Sequence, residues 1–206
     1  SHEEAFDRTE VAIGRARDGG ADVHLTLNDA FRADVPTIAG AFGRFDCPIV
    51  LADTVGVRTP PFVAGFLRTL ADASADLTRA GVHFQDDLGC ATANAIIAAE
   101  TGIDRVNVSV AGLGNRAGIS ATEEVIAATE TGGGDAGIVT EETIPVCEDV
   151  LTTLGESVDE HKALLGERAT THESAAHTNA ILEAPSTFEP FDPARSLIRD
   201  GYRDFA

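Results

Sequence analysis

Four short apolar runs along this chain are each followed by polar side chains able to do chemistry. Asn28-Asp29 with Arg32 follow the first, Asp53-Thr54 the second, His83-Phe84-Gln85-Asp86-Asp87 the third, and Asn115-Arg116 come after the fourth. An imidazole moves protons near neutral pH, and a guanidinium holds oxyanions. Singly, each residue has a plain structural use. Asp53 ahead of Thr54-Val55-Gly56 fits a turn cap, Asp86 and Asp87 fit the positive N-terminal end of the following helix, and Arg116 has many carboxylates to pair with. Four polar groups in succession at the same end of successive strands suggest a site, because in parallel barrels the working side chains stand at the strands' carboxyl ends.

The elements that must position them alternate along the chain. Apolar residues at helical spacing (Ala5, Ala12, Ile13, Ala16) predict a first helix over 1–17, ended by Gly19-Gly20. Asp22 to Leu27 reads as a strand, and Asp34 with Pro36 opens the next helix in cap-then-proline order. The run Cys47-Pro48-Ile49-Val50-Leu51-Ala52 reads as a buried parallel strand, and Thr59-Pro60-Pro61 starts a helix to about Ala73. Strands over 81–85 and 104–110 and helices over 89–101 and 121–131 continue the pattern. Strand and helix in regular alternation imply an α/β fold with a parallel sheet and right-handed crossovers. Gly132-Gly133-Gly134 reads as a turn, since no Lys-Ser/Thr follows it as a phosphate loop requires. A further helix over 141–154 precedes a change of texture. The stretch 170–206 is richer in Pro, His and Ser, and Pro185, Pro190 and Pro193 break any long element. The expected organisation is a sheet-bearing domain over 1–155 and a trailing, mostly helical arm over 156–206.

Composition bounds the function. The 206 residues carry 34 acidic against 15 basic side chains, a formal net charge of −19, and Lys162 is the only lysine. Such a surface repels nucleic acid and anionic membranes, so neither is expected as a partner. It suits a halophilic protein kept soluble by its acidic surface where high salt screens self-repulsion. No apolar run reaches the roughly 18 residues of a membrane span, and no signal-peptide layout opens the chain, so a cytoplasmic location is expected. Cys47, Cys90 and Cys147 share no metal-type spacing and read as buried thiols.

One long segment is specific. VHFQDDLGCATANAIIAAETGIDRVNVSVAGLGNRAGISATEEV resembles the closing strands of the isopropylmalate, homocitrate and citramalate synthases, within the metal-dependent barrel family that includes hydroxymethylglutaryl-CoA lyase. LADTVGVRTPPFV looks like that family's strand-six motif, and GERATTHESAAHTNAILEAPSTFEPFDP is similar to its His-Glu-Ser-Gly-Ile-His segment beyond the barrel. The resemblance implies the C-terminal half of a (β/α)8, or TIM, barrel of about four βα units, followed by a short arm. It implies condensation of acetyl-CoA with a 2-oxo acid, as in leucine biosynthesis, assisted by a divalent metal (Mg, Mn or Zn). It places His83 as a first metal ligand, Thr54 on the substrate carboxylate, and His177 as a catalytic histidine that reaches a neighbouring subunit's site.

The departures from the pattern are specific too. Gln85 stands where the family has its second ligand histidine, and an amide oxygen is the poorer ligand. Ile119 replaces a ligand asparagine and cannot coordinate. Asn28 replaces an acidic residue, and Ala175 replaces a glycine of the arm motif. The family's first four strands, with another ligand and a substrate-binding arginine, have no counterpart in this sequence. Nor does the leucine-sensing domain, so feedback control is not expected from this chain. Weak metal binding and weak or absent turnover by this chain alone are therefore expected. Three readings stay open: an acyltransferase, a degenerate paralogue that pairs with an intact family member, and a remnant with no retained role. A homo-oligomer, or pairing with a chain that supplies the missing half-barrel, follows from the two strand edges that half a barrel leaves open.

Overall fold

The structure is a computed structural model that describes residues 2–138, 142–169, 171–172, 174–184 and 187. The chain divides into two compact units, Ser1–Val108 with Gly114–Ser120, and Ser109–Leu113 with Ala121–Ala206. This division falls earlier in the sequence than the change of texture near residue 155.

In the first unit, helix α1 (His2–Asp18) precedes strand β1 (Leu25–Leu27), α2 (Val35–Arg44), β2 (Ile49–Asp53), α3 (Pro60–Asp72), β3 (Ala80–Phe84), α4 (Ala91–Glu100) and β4 (Arg105–Asn107). The strands form one parallel sheet in the order β1-β2-β3-β4, as the alternation predicts. Local chemistry sets the helix starts. The Asp34 carboxylate accepts the Thr37 amide at 2.9 Å to cap α2, and Pro60 pre-sets the first turn of α3.

Pairing register sorts the side chains onto two faces. Ile49, Leu51 and Asp53 of β2 share a face with Ala80, Val82 and Phe84 of β3, and all six are buried. Helix α4 packs on β3, and α3 packs between α2 and α4. Phe31, Phe66 and Phe84 meet in this core with ring centroids 5.0 Å and 5.2 Å from Phe31. Burying a side chain of this size stabilises the fold by about 1.5–3 kcal/mol. The opposite face carries Thr26, Val50, Ala52, Gly81, His83, Arg105 and Asn107, and there Thr26, Arg105 and Asn107 stay exposed. Among the described residues, no strand pairs with the outer edge of β1 or of β4.

Both edge strands are shorter than their sequence predicts. β1 pairs only over Leu25–Leu27 instead of from Asp22, because it has a neighbour on one side alone. β4 ends at Asn107 instead of Val110, and Val110–Gly112 form a 3-10 turn with Ala111 at φ 56°. Glu123 explains that turn: its wholly buried carboxylate accepts the Ala111 amide at 3.0 Å.

The second unit contains that turn, α5 (Thr122–Thr131), α6 (Thr143–Leu154) and α7 (Ala175–Glu183). Ile144, Cys147, Leu151 and Leu165 form its core, with Val110, Leu113 and Val158 against them. Burial raises the Glu123 carboxyl above its ordinary value and pushes the Cys147 thiol up to about 11, so that thiol is no nucleophile. Lys162 pairs with Glu124 and lies 3.8 Å from Glu123. No described helix is long and apolar enough to cross a membrane.

Candidate active site

The carboxyl ends of β1, β2 and β3 and the loop over 114–120 form one polar rim, tied together by hydrogen bonds between loops. At the end of β1, Asp29 adopts a left-handed conformation (φ 60°) in which its amide donates to Thr54 Oγ1 at 2.8 Å. Arg32 grips the Asp29 carboxylate with two bonds of 2.7 Å and holds its pKa below the usual carboxylate range. The Thr54 hydroxyl therefore accepts from the backbone, and its own proton has no acceptor among the described residues. That leaves a donor at the rim for an oxyanion.

Asp53 is a turn cap, as its place in the sequence suggests. One carboxylate oxygen accepts the Arg58 amide at 2.9 Å, while the other is buried without a hydrogen-bond partner among the described residues. Its carbonyl accepts the amides of Gly56 (3.2 Å) and Gln85 (3.3 Å), which joins the β2 and β3 ends.

The two aspartates after β3 divide their labour, which corrects the expectation that both cap the next helix. Asp86 does so, accepting the Ala91 amide at 2.7 Å. Asp87 turns the other way, and Arg116 closes on it with a two-pronged contact of 2.6 Å and 2.7 Å. Arg116 holds this grip from a left-handed backbone (φ 57°) and also donates to the Thr54 carbonyl at 2.9 Å. It thus ties three loops, a role invisible in sequence because its partners lie 29 and 62 residues away.

The expected metal ligands converge as positions but not as chemistry. His83 and Gln85 are separated by one residue along β3 and its extension, so their side chains leave the same face. Gln85 forms an antiparallel bridge with Ile119, which places the Ile119 side chain beside that of Gln85. His83 is half-buried, and desolvation lowers its pKa, keeping the ring neutral and able to donate a lone pair. Gln85 Oε1 is buried and has no hydrogen-bond partner among the described residues. Ile119 offers no donor at all. One imidazole and one amide oxygen do not make the set that Mg, Mn or Zn requires. Among the described residues no three His, Cys, Asp or Glu side chains come together as a metal site. The residues of this chain do not fit the metal that the resemblance implies.

His177 stands on α7 in the second unit, its ring 6.1 Å from that of His172. Asn28 is exposed beside the rim.

Comparison with known proteins identifies the family. The HMGL-like family model matches residues 1–150. The homocitrate synthase AksA of Methanopyrus kandleri is 36% identical over 198 residues, covering 94% of this chain and 49% of the relative. The 2-isopropylmalate synthase of Aliarcobacter butzleri is 33% identical over 202 residues, covering 94% of this chain and 39% of the relative. Among solved structures, the HMG-CoA lyase of Bacillus subtilis superposes with a TM-score of 0.67 at 21% identity, over 77% of this chain and 58% of that one. The chain spans about half or less of the length of these synthases, and its four-stranded parallel sheet matches part of the family's TIM barrel. By its sequence and its fold, the chain belongs to the HMGL-like family.

Proposed function

We propose that this chain supplies the carboxyl half of a 2-isopropylmalate synthase-type site, which condenses acetyl-CoA with a 2-oxo acid, and that the chain alone turns over weakly or not at all. The observation that carries this reading is the convergence of positions 83, 85 and 119 on one face of the β3 end, beside a Thr54 hydroxyl with a free proton. The sequence relatives named for homocitrate and 2-isopropylmalate synthesis support the reaction class. In the condensation a base removes a proton from the acetyl methyl group, the carbanion adds to the ketone carbon of the oxo acid, and hydrolysis of the thioester frees the thiol. The Thr54 hydroxyl donates a hydrogen bond to the carboxylate of the oxo acid and so orients the ketone. His177 serves acid–base chemistry from the arm, at the site of a neighbouring subunit. No step is assigned to a metal, because the side chains at 83, 85 and 119 do not hold one.

A second reading is favoured by Gln85 and Ile119 themselves: a degenerate paralogue that acts as a structural partner, completing the open edges of its sheet with another chain. Mixing separates the two. The chain is combined in molar KCl with the amino-terminal half of the Aliarcobacter butzleri synthase, and both complex size and thiol release from acetyl-CoA are followed. The acyltransferase reading expects a complex with slow turnover that is absent from either half alone. A complex without turnover supports the structural partner, and no complex defeats both.

A further inference from the structure

The loop between β2 and α3 carries an arginine whose guanidinium makes no hydrogen bond or ion pair among the described residues, although its charge helps to hold the Asp29 pKa down. The backbone of Arg58 is pinned on both sides. Its amide donates to Asp53 Oδ2 at 2.9 Å, and its carbonyl accepts from Asn94 Nδ2 at 2.7 Å, Asn94 being 1% exposed. Its guanidinium carbon lies over the Phe62 ring, 4.1 Å from the centroid. Nε is buried without a hydrogen-bond partner among the described residues. The Nη groups have no hydrogen-bond partner among the described residues either, and the residue as a whole is half-buried.

This is unexpected in a chain with 34 acidic side chains, and the carboxylates of the rim are otherwise engaged except for one Asp53 oxygen, which is buried without a hydrogen-bond partner among the described residues. Asp29 is gripped by Arg32, Asp87 by Arg116, and Asp53 by Arg58's own amide. A half-buried guanidinium left unpaired sacrifices hydration without a compensating partner. The cation–π contact with Phe62 restrains the guanidinium, which lowers the entropy cost of receiving a ligand. Phe62 is 40% exposed, so the cation has an apolar border on that side. An oxyanion meets a planar guanidinium with two parallel hydrogen bonds, and a phosphate or a carboxylate has the acceptors to do so.

We infer that Arg58 is the oxyanion contact of a ligand site on the carboxyl-end rim, taking a phosphate or carboxylate whose apolar neighbour rests on Phe62. This inference names a ligand contact of the same rim and so rests on the proposed function, but binding is read without turnover, so its failure is distinguishable from a failure of that reading.

The 206-residue chain is titrated calorimetrically, at constant ionic strength, with inorganic phosphate, adenosine 3′,5′-bisphosphate and malate. A net charge of −19 repels anions in general, so saturable binding of any of them is already informative. Tighter binding of the bisphosphate than of malate assigns a nucleotide phosphate, and the reverse order assigns a substrate carboxylate. Arg58→Met is expected to weaken the preferred probe roughly tenfold or more, while Arg15→Met on the exposed face of α1 leaves it unchanged. Circular dichroism checks that each variant is folded. If Arg58→Met does not fold, Arg58→Lys, which keeps the charge but loses the planar fork, is expected to weaken binding by a factor of roughly three or more. No saturable binding of any probe by the unmodified chain, or equal binding by a folded Arg58 variant, overturns the assignment.

Discussion

Replacing Gln85 with His and Ile119 with Asn is expected to raise the affinity of the chain for Mn by roughly tenfold or more. The backbone is already arranged for it. Residues 83 and 85 leave the same face, and the bridge between 85 and 119 sets those two side chains side by side. Two changes of side chain would turn one imidazole and one amide into two imidazoles and one amide, a facial set of three. His83 is ready for the role, since desolvation keeps its ring neutral. Loss of the free Mn signal in electron paramagnetic resonance gives the affinity directly. Adding His83→Ala to the double variant should abolish the gain, which separates a rebuilt site from Mn held by the acidic surface. No gain from a folded double variant would mean that the rim has drifted further than its backbone shows.

Gly56→Ala should be the most damaging single methyl that this rim can receive. Gly56 sits at φ +68°, and a Cβ there would lie 2.5 Å from Asp87 Oδ2, 2.8 Å from the Asp87 amide nitrogen and 2.8 Å from the Gln85 carbonyl. Two of these three are backbone atoms of the segment that carries the site, and they cannot swing aside as a flexible side chain would. Left-handed strain on alanine costs about 1–2 kcal/mol, and the overlap adds to it, for a total of about 2–4 kcal/mol. The thermal midpoint should fall by roughly 5–10 °C. Gly89→Ala is the matched control, because Gly89 has φ +67° with nothing within 4 Å of its added Cβ. It should show the conformational cost alone. Equal loss in both variants would show that the β2 and β3 loops are not in contact through Gly56.

What could be read in the sequence was what local chemistry dictates. The Ile49-Val50-Leu51 run is buried because it lies between two neighbouring strands, and the Asp34 cap and Pro60 start follow from hydrogen-bond and dihedral preferences of single residues. Edge strands read less well, because pairing depends on a neighbour that a residue pattern does not reveal; β4 gave up Val110 to a turn held by Glu123. The candidate site was legible as a row of strand-end residues, yet its wiring was not. Asp86 and Asp87 are adjacent and alike in type, but one caps α4 and the other meets Arg116 from 29 residues away. Arg58 carried no signal in its spacing. Only the three-dimensional arrangement sets its guanidinium over Phe62 without a hydrogen-bond partner among the described residues.

The most direct measurement is thiol release from acetyl-CoA by this chain alone, in molar KCl with Mg or Mn, against a panel of 2-oxo acids. Circular dichroism on the same sample establishes that the protein is folded. The expected result is a folded protein with turnover at or near background for every oxo acid, because His83 and Gln85 do not amount to a metal site. Robust turnover with any of them would contradict that conclusion and would require ligands other than the side chains at 83, 85 and 119.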